Sequence, residues 1–263
     1  MRLATFIPPG ATEARAGEIR GADVVAFAGG TVVDRLASDD SAPADGDSFA
    51  LAEVRLLAPV PRPRAIFGIG LNYAEHARET GQQPPEAPMV FMKLPTSSAP
   101  PSGPVRCPAV VRRLDYEVEL AVVIGAGGAI AGYAVADDVS ARDLQKREPQ
   151  WTRAKGADTF CPWGPWITTA DELPDAGDLR LTSHVNGELR QDSRTSDLIF
   201  GPQALVDFIA EAITLEPGDL IITGTPAGVG AFRDPPVWLL PGDEITIEID
   251  GVGTITNPVT STD

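Results

Sequence analysis

The chain has 263 residues, 43% hydrophobic and 22% charged, the composition of a folded globular protein with core enough for one large domain or two small ones. Its formal net charge of −16 argues against nucleic acid or anionic membrane as a partner, and it obliges any site for an anionic substrate to bring its own positive charge, from a metal ion or from placed Lys and Arg. Two cysteines, Cys107 and Cys161, lie far apart without a CxxC spacing, and are expected as small buried hydrophobes in a reducing compartment.

The opening Met1-Arg2-Leu3-Ala4 leads into a polar, proline-containing stretch, and no apolar run approaches membrane-spanning length, so a soluble cytoplasmic protein is expected. Residues 1–57 read as a small β-rich N-terminal domain. Within it Val24–Ala28 and Thr31–Val33 flank Gly29-Gly30, a hairpin signal, and Asp39–Asp47 reads as a loop. Prolines at every second position in Ala58–Pro63 cannot continue a helix or a central strand, which sets a boundary there and a catalytic domain over 58–263.

Beyond it, Ala65–Ile69 is a short apolar strand. Asn72–Thr80 has the marks of a helix, with Asn72 as N-cap, Glu75 at the capping-box position and Gly81 as the stop. A long Pro/Ser segment, Gln82–Pro108, is broken by strand-like Met89–Lys93. Further strands are expected at Tyr116–Ile124, Ile130–Asp138, Trp166–Thr169, Arg180–Val185, Leu220–Thr223 and Glu244–Ile249. One amphipathic helix is expected at Pro202–Ile213, with Leu205, Phe208, Ile209, Ala212 and Ile213 as its core-packing face. Strands outnumber helices without regular βα alternation, so the fold class is β-rich α+β.

The chemistry concentrates in Asp115-Tyr116-Glu117-Val118-Glu119-Leu120. The strand period of two places Glu117 and Glu119 on one face and Val118 and Leu120 on the other. Two like charges on one face are tolerated where the face is solvated, as at a strand end emerging into water, or where a cation sits between them, and the run-on into Leu-Ala-Val-Val-Ile points to burial. The next strand ends in Asp137-Asp138, and on spacing alone either aspartate could complete the set. Three carboxylates without His or Cys form an oxygen-only site suited to Mg²⁺, Mn²⁺ or Ca²⁺. His76 and Glu79, three apart on the expected helix, can hydrogen-bond, either as an exposed pair on a surface helix or as a general base held by a carboxylate. Arg142 could pair a substrate carboxylate or serve Asp143 or Asp138 structurally. His184, in a strand without an acidic neighbour, reads as structural.

Six segments, in order, resemble the fumarylacetoacetate hydrolase family: Gly-Leu-Asn-Tyr-Ala-Glu-His-Ala-Arg-Glu (70–79), Asp-Tyr-Glu-Val-Glu-Leu (115–120), Asp-Asp-Val-Ser-Ala-Arg-Asp-Leu-Gln (137–145), Lys-Gly-Ala-Asp-Thr-Phe-Cys-Pro-Trp-Gly-Pro (155–165), Val-Asn-Gly-Glu-Leu-Arg-Gln (185–191) and Thr-Gly-Thr-Pro-Ala-Gly-Val-Gly (223–230). The resemblance runs from about residue 60 to the C-terminus. It implies a mixed β-sheet, β-roll core, a homodimer or larger assembly, and Glu117, Glu119 and Asp138 as metal ligands. It assigns His76 and Glu79 as the water-activating dyad, and Lys155, with Arg142 and Gln145, as the group facing the developing oxyanion or the substrate carboxylate. Thr225 becomes a substrate contact. The implied reaction is metal-dependent cleavage of a C–C bond in a small 2-oxo acid of the acylpyruvate type. Isomerisation or decarboxylation of 2-hydroxy-dienoates or oxaloacetate is the alternative, since all share an enolate. A non-catalytic, metal-stabilised paralogue would be marked by a missing ligand or dyad, and both sets are present.

Overall fold

Two β-sheets make up the body of the protein in a computed structural model that describes residues 1–38 and 41–262. The first stretch supplies β1 (Arg2–Ile7), β2 (Arg15–Arg20), β3 (Asp23–Ala26), α1 (Val32–Ser38), β4 (Ser48–Ala50), β5 (Arg55–Leu56), β6 (Ile66–Gly70), α2 (Ala74–Glu79) and β7 (Met89–Lys93). The middle carries β8 (Ser98–Ala99), β9 (Val105–Cys107), β10 (Leu114–Asp115), β11 (Val118–Ile124), β12 (Ile130–Asp137), β13 (Ser140–Ala141), α3 (Arg142–Arg147), α4 (Thr152–Lys155) and β14 (Cys161–Thr169). The remainder holds β15 (Arg180–Val185), β16 (Glu188–Arg194), α5 (Pro202–Ala210), β17 (Leu220–Ile222), β18 (Glu244–Ile249) and β19 (Gly253–Ser261). The β-rich α+β class expected from the sequence is what forms.

The larger sheet runs β4-β3-β2-β1-β14-β12-β11-β17-β6-β7, and the smaller runs β16-β15-β18-β19-β9. β11 is buried along its whole length, so its near-continuous apolar run has both faces to cover. Val118, Leu120, Val122 and Ile124 join Leu181, Ile245, Ile247 and Ile255 in one core. Ala121 and Val123 enter the other, with Ala134, Ala136, Trp163 and the α1 residues Val32 and Leu36. Each fully buried Val, Leu or Ile contributes about 1.5–3 kcal/mol, which anchors β11 as the fixed element against which the site is built. β1 pairs antiparallel with β14, matching Arg2 with Thr168 and Leu3 with Ile167, so the N-terminal strands hydrogen-bond directly onto the larger sheet. The crossing at 58–63 is irregular, with Ala58 and Val60 buried.

Several local expectations are corrected. Thr31–Val33 is not the second arm of a hairpin but the start of α1. The Thr31 hydroxyl accepts the Asp34 amide at 3.2 Å while the Asp34 carboxylate accepts the Thr31 amide at 2.7 Å, a reciprocal cap that outweighs the strand propensity of Val32-Val33. The loop expected at 39–47 lies partly outside the described residues, and 41–47 has no regular element. Asn72 does not cap α2. Its side chain bonds the Phe200 and Thr223 carbonyls and the Phe200 amide, and the amide of Glu75 is met by Asp197 at 2.9 Å. α5 ends at Ala210, with Leu205, Val206 and Ile209 inward and Phe208 and Ile213 exposed. The Asn186-Gly187 pair, at φ 53° and 79°, turns a β15–β16 hairpin the sequence reading missed. Both cysteines are free, with Cys161 buried and Cys107 only partly so. Among the described residues no helix is long and apolar enough to cross a membrane.

Candidate active site

The register of β11 against β12 brings the acids together. Val118 pairs with Asp137 and Glu119 with Ala136, and just past the ladder the Asp138 amide donates to the Glu117 carbonyl at 3.0 Å. Glu117, Glu119 and Asp138 are buried, and one carboxylate oxygen of each lies within 4.8 Å of the others. Asp137, equally available on spacing, turns aside. One oxygen takes the Glu117 amide at 2.9 Å, and the other has no hydrogen-bond partner among the described residues.

Cations are threaded between these acids. Lys155 Nζ donates to Glu117 and to Asp138, each at 2.6 Å, and Lys93 Nζ donates to the other oxygen of Asp138. Arg142 donates through Nε to Asp115 at 2.8 Å, through Nη2 to Glu117 and through Nη1 to Gln145 at 3.0 Å. It thus serves neither Asp143 nor Asp138, the structural partners weighed from sequence. Burial alone would raise Glu117, but the charges of Arg142 and Lys155 and the Lys155 hydrogen bond hold it down at about 2. Glu119 goes the other way. Burial, then the charges of Asp138 and Glu117, push it well above the usual carboxyl range, against which Lys155 and the Gly224 amide are too little. Asp115, Glu117, Glu119, Asp137 and Asp138 bring five buried carboxyls against Lys93, Lys155 and Arg142, and burial pushes Asp115 upward and Asp137 up to about 8, so the acids crowd the site beyond what its cations relieve. The oxygen-only donor set of Glu117, Glu119 and Asp138 and the repulsion felt at Glu119 fit a hard divalent cation.

A base stands at the same cavity. His76 Nδ1 is 2.7 Å from Glu79 Oε2, and the other oxygen of Glu79 accepts the Gly228 amide at 2.9 Å. A neutral imidazole satisfies a carboxylate only by donating, so Nδ1 carries the proton and Nε2 keeps its lone pair. Burial raises Glu79, but the bonds from His76 and Gly228 outweigh it, and the carboxyl stays below its ordinary value. The Phe232 ring packs edge-on against the imidazole at 5.7 Å.

The Thr-Gly-Thr-Pro-Ala-Gly turn ties base and acids. Gly224 donates its amide to Glu119 at 2.6 Å, and Gly228 donates to Glu79. Both have positive φ, 97° and 101°, and a Cβ there would lie 2.8 Å from Asn72 and 2.4 Å from the Arg190 carbonyl, so only glycine fits. Thr225 between them donates to the Val118 carbonyl at 3.0 Å and accepts from Gln191 at 2.8 Å.

These groups open onto a cavity of about 330 Å³. His76, Glu117, Glu119, Asp138, Arg142, Gln145, Lys155 and Thr225 all line it, with Ile69, Met89, Phe91, Trp151 and Phe232 as apolar wall. Of the residues expected here only Glu79 stands behind the wall, holding His76. His184 sits on β15, outside the lining. Sequence reasoning missed Lys93, Asp115 and Gln191. The one signal for Lys93 was a lysine closing the apolar run Met-Val-Phe-Met.

The fumarylacetoacetate (FAA) hydrolase C-terminal family matches residues 65–260. The chain belongs to the fumarylacetoacetate hydrolase family. Among its relatives in that enzyme family, protein Rv2993c of Mycobacterium tuberculosis is 47% identical over 224 residues, 81% of this chain and 82% of the relative. The mitochondrial oxaloacetate tautomerase FAHD2B of Bos taurus is 43% identical over 220 residues, 79% of this chain and 70% of the relative. The crystal structure of maleylpyruvate hydrolase from Sphingobium sp. SYK-6, in complex with manganese(II) and pyruvate, matches with a TM-score of 0.81 at 30% identity, over the full length of both chains.

Proposed function

We propose that this fumarylacetoacetate hydrolase family enzyme cleaves a C–C bond in a small 2-oxo acid of the acylpyruvate type, with Glu117, Glu119 and Asp138 holding a divalent ion. The observation that carries the reading is the His76–Glu79 pair opening onto the same cavity as the three carboxylates. The oxygen-only set favours Mg²⁺ or Mn²⁺, with Ca²⁺ also compatible. When bound, such an ion supplies Lewis-acid stabilisation of negative charge at the 2-oxo group.

The side chains divide the remaining work. Arg142 and Gln145 orient the substrate carboxylate, Thr225, whose hydroxyl proton is spent on the Val118 carbonyl, lines its seat, and Lys155 faces the oxyanion. His76 Nε2 takes a proton from water, which adds to the acyl carbonyl. The C–C bond then breaks toward the pyruvate carbon, and that enolate takes up a proton to release pyruvate and a carboxylic acid. Glu79 keeps the imidazole in the tautomer this needs, and Phe232 and Met89 limit the entry of further water.

A second reading is keto–enol tautomerisation of oxaloacetate, favoured by the name of the 43% identical relative. The same base would then move a proton on carbon rather than on water. A panel of acylpyruvates and oxaloacetate with Mg²⁺ or Mn²⁺, followed by loss of the enol absorbance and by product analysis, separates the two. His76→Ala should lower kcat for acylpyruvate cleavage by about 10²–10⁴, the usual worth of a general base, while calorimetry finds metal binding intact. Cleavage at the wild-type rate would remove His76 from the mechanism.

A further inference from the structure

Gly228 is held at both of its backbone groups. Its amide donates to Glu79, and its carbonyl accepts from the Tyr116 hydroxyl at 3.1 Å and from Arg233 Nε at 3.2 Å. Arg233 Nε also donates to the Tyr116 hydroxyl at 3.2 Å, and Nη2 donates to the Arg190 carbonyl. Tyr116 stands just before β11 and Arg190 lies on β16, so one guanidinium pins the turn to both sheets. All of its acceptors are uncharged, and it is partly buried without an ion pair among the described residues. The residue before it is Phe232, whose ring packs on the His76 imidazole.

We infer that Arg233 is a positioning residue for the His76–Glu79 pair, fixing through Gly228 which imidazole nitrogen carries the proton. The inference rests on the reading of His76 as the base, and adds the group that keeps it one. A glycine at φ 101° has no side chain to hold it there, so the direction of its amide depends on what grips its carbonyl. With that grip gone the amide turns away from Glu79 Oε1, and the freed carboxylate no longer has to present Oε2 to His76 Nδ1. The imidazole then samples its other tautomer, in which Nε2 carries the proton and cannot accept one. A neutral side chain would fill the same space at less desolvation cost than a cation with no carboxylate bonded to it. The charge has a use beside Glu79: burial raises that carboxyl, and the Arg233 charge joins the His76 and Gly228 bonds in lowering it. The ionised carboxylate is the form that accepts the Nδ1 proton.

Nitrogen–proton correlation spectra of the Mg²⁺-loaded protein at alkaline pH read the tautomer directly, and with two histidines in the chain a His184→Gln background assigns His76. The wild type should show the Nδ1-protonated form alone. Arg233→Met should show both tautomers in exchange and lower kcat, for whichever acylpyruvate or oxaloacetate the wild type turns over, by roughly ten- to a hundredfold. Its KM and its calorimetric Mg²⁺ affinity should be unchanged. Arg233→Lys, which keeps a donor and the charge, should fall between. Tyr116→Phe removes only the second grip on the Gly228 carbonyl and should move the spectrum the same way by less, so the test stands even where Arg233→Met folds poorly. The wild-type tautomer in every variant that folds, or a fall in kcat that only tracks the folded fraction in denaturation, would overturn the role of Arg233. A wild type that turns over neither acylpyruvates nor oxaloacetate would overturn the proposed reaction, with the tautomer spectra still deciding the role of Arg233.

Discussion

Glu119→Gln provides a quantitative test of the three-carboxylate centre. Glu119 shares its corner with Glu117 and Asp138, with oxygens within 4.8 Å. At that separation two ionised carboxylates repel by roughly 3 kcal/mol at an effective dielectric near 20. Lys155 offsets part of this, and protonation of Glu119, whose carboxyl is pushed upward by burial and by Asp138 and Glu117, limits it further. The net relief on removing the charge is therefore about 1–3 kcal/mol. Glutamine keeps an oxygen for the Gly224 amide, so little else is lost. In EDTA at pH 8 the variant should be the more stable protein, by roughly 3–10 °C in Tm for a chain of this size. With metal at a hundred times its Kd the wild type should gain about 2.7 kcal/mol, and the variant far less, so the order of stabilities narrows or reverses. The sign with pH follows from the raised carboxyl. Its protonated form is the one the fold prefers, so the share of stability set by Glu119 is fully present at and below the ordinary carboxyl range and is lost as pH rises above it. The metal-free gap between the two proteins should therefore close toward pH 4. Thermal scans across pH, with and without metal, read all of this. A variant less stable than wild type in EDTA, or one with an undiminished metal response, would refute the electrostatic account.

Three further outcomes are expected. Asp138→Asn should abolish the metal-induced rise in Tm while Asp137→Asn retains it, because only Asp138 reaches the cluster; equal loss at both would contradict that division. Asp115→Asn should cost roughly 3 kcal/mol in chemical denaturation, since this buried carboxylate accepts from Arg142 and from the amides of Gly230 and Ala231, and unchanged stability would mean these bonds carry no net weight. Thr31→Ala should cost about 1 kcal/mol through loss of the α1 cap, and an unaffected denaturation midpoint would mean that α1 is held by packing alone.

The centre was legible because its signal is local. Acids two apart at the head of an apolar strand fix a shared face, and the alternation of Val118 and Leu120 against Ala121 and Val123 follows the expected period. What spacing left open was Asp137 against Asp138, which depends on how the chain turns after β12. The parts that escaped are set by distant partners. Lys93 looks like a solvated strand end until it is placed beside an aspartate 45 residues away. Asp197 meets the start of α2 from 122 residues away, a partner no local pattern could announce. The β15–β16 hairpin and the α1 cap are different, since Asn186-Gly187 and Thr31-x-x-Asp34 are local signals in plain view. In the second case the strand preference of Val32-Val33 masks the cap, although the cap prevails.

The turn from Gly224 to Gly228 works as a caliper. One jaw is the amide on Glu119, the other the amide on Glu79, and their gap is set by the three residues between two glycines that no other residue can replace. An insertion or deletion between the two glycines would therefore misplace the carboxylate among the acids and the one behind the imidazole in a single event. The apolar wall residues Met89 and Phe91 on β7 are not spanned by that turn, so those two side chains can be exchanged without resetting the gauge. Change in this chain is thus channelled toward what the cavity admits and away from the spacing of the groups at its floor.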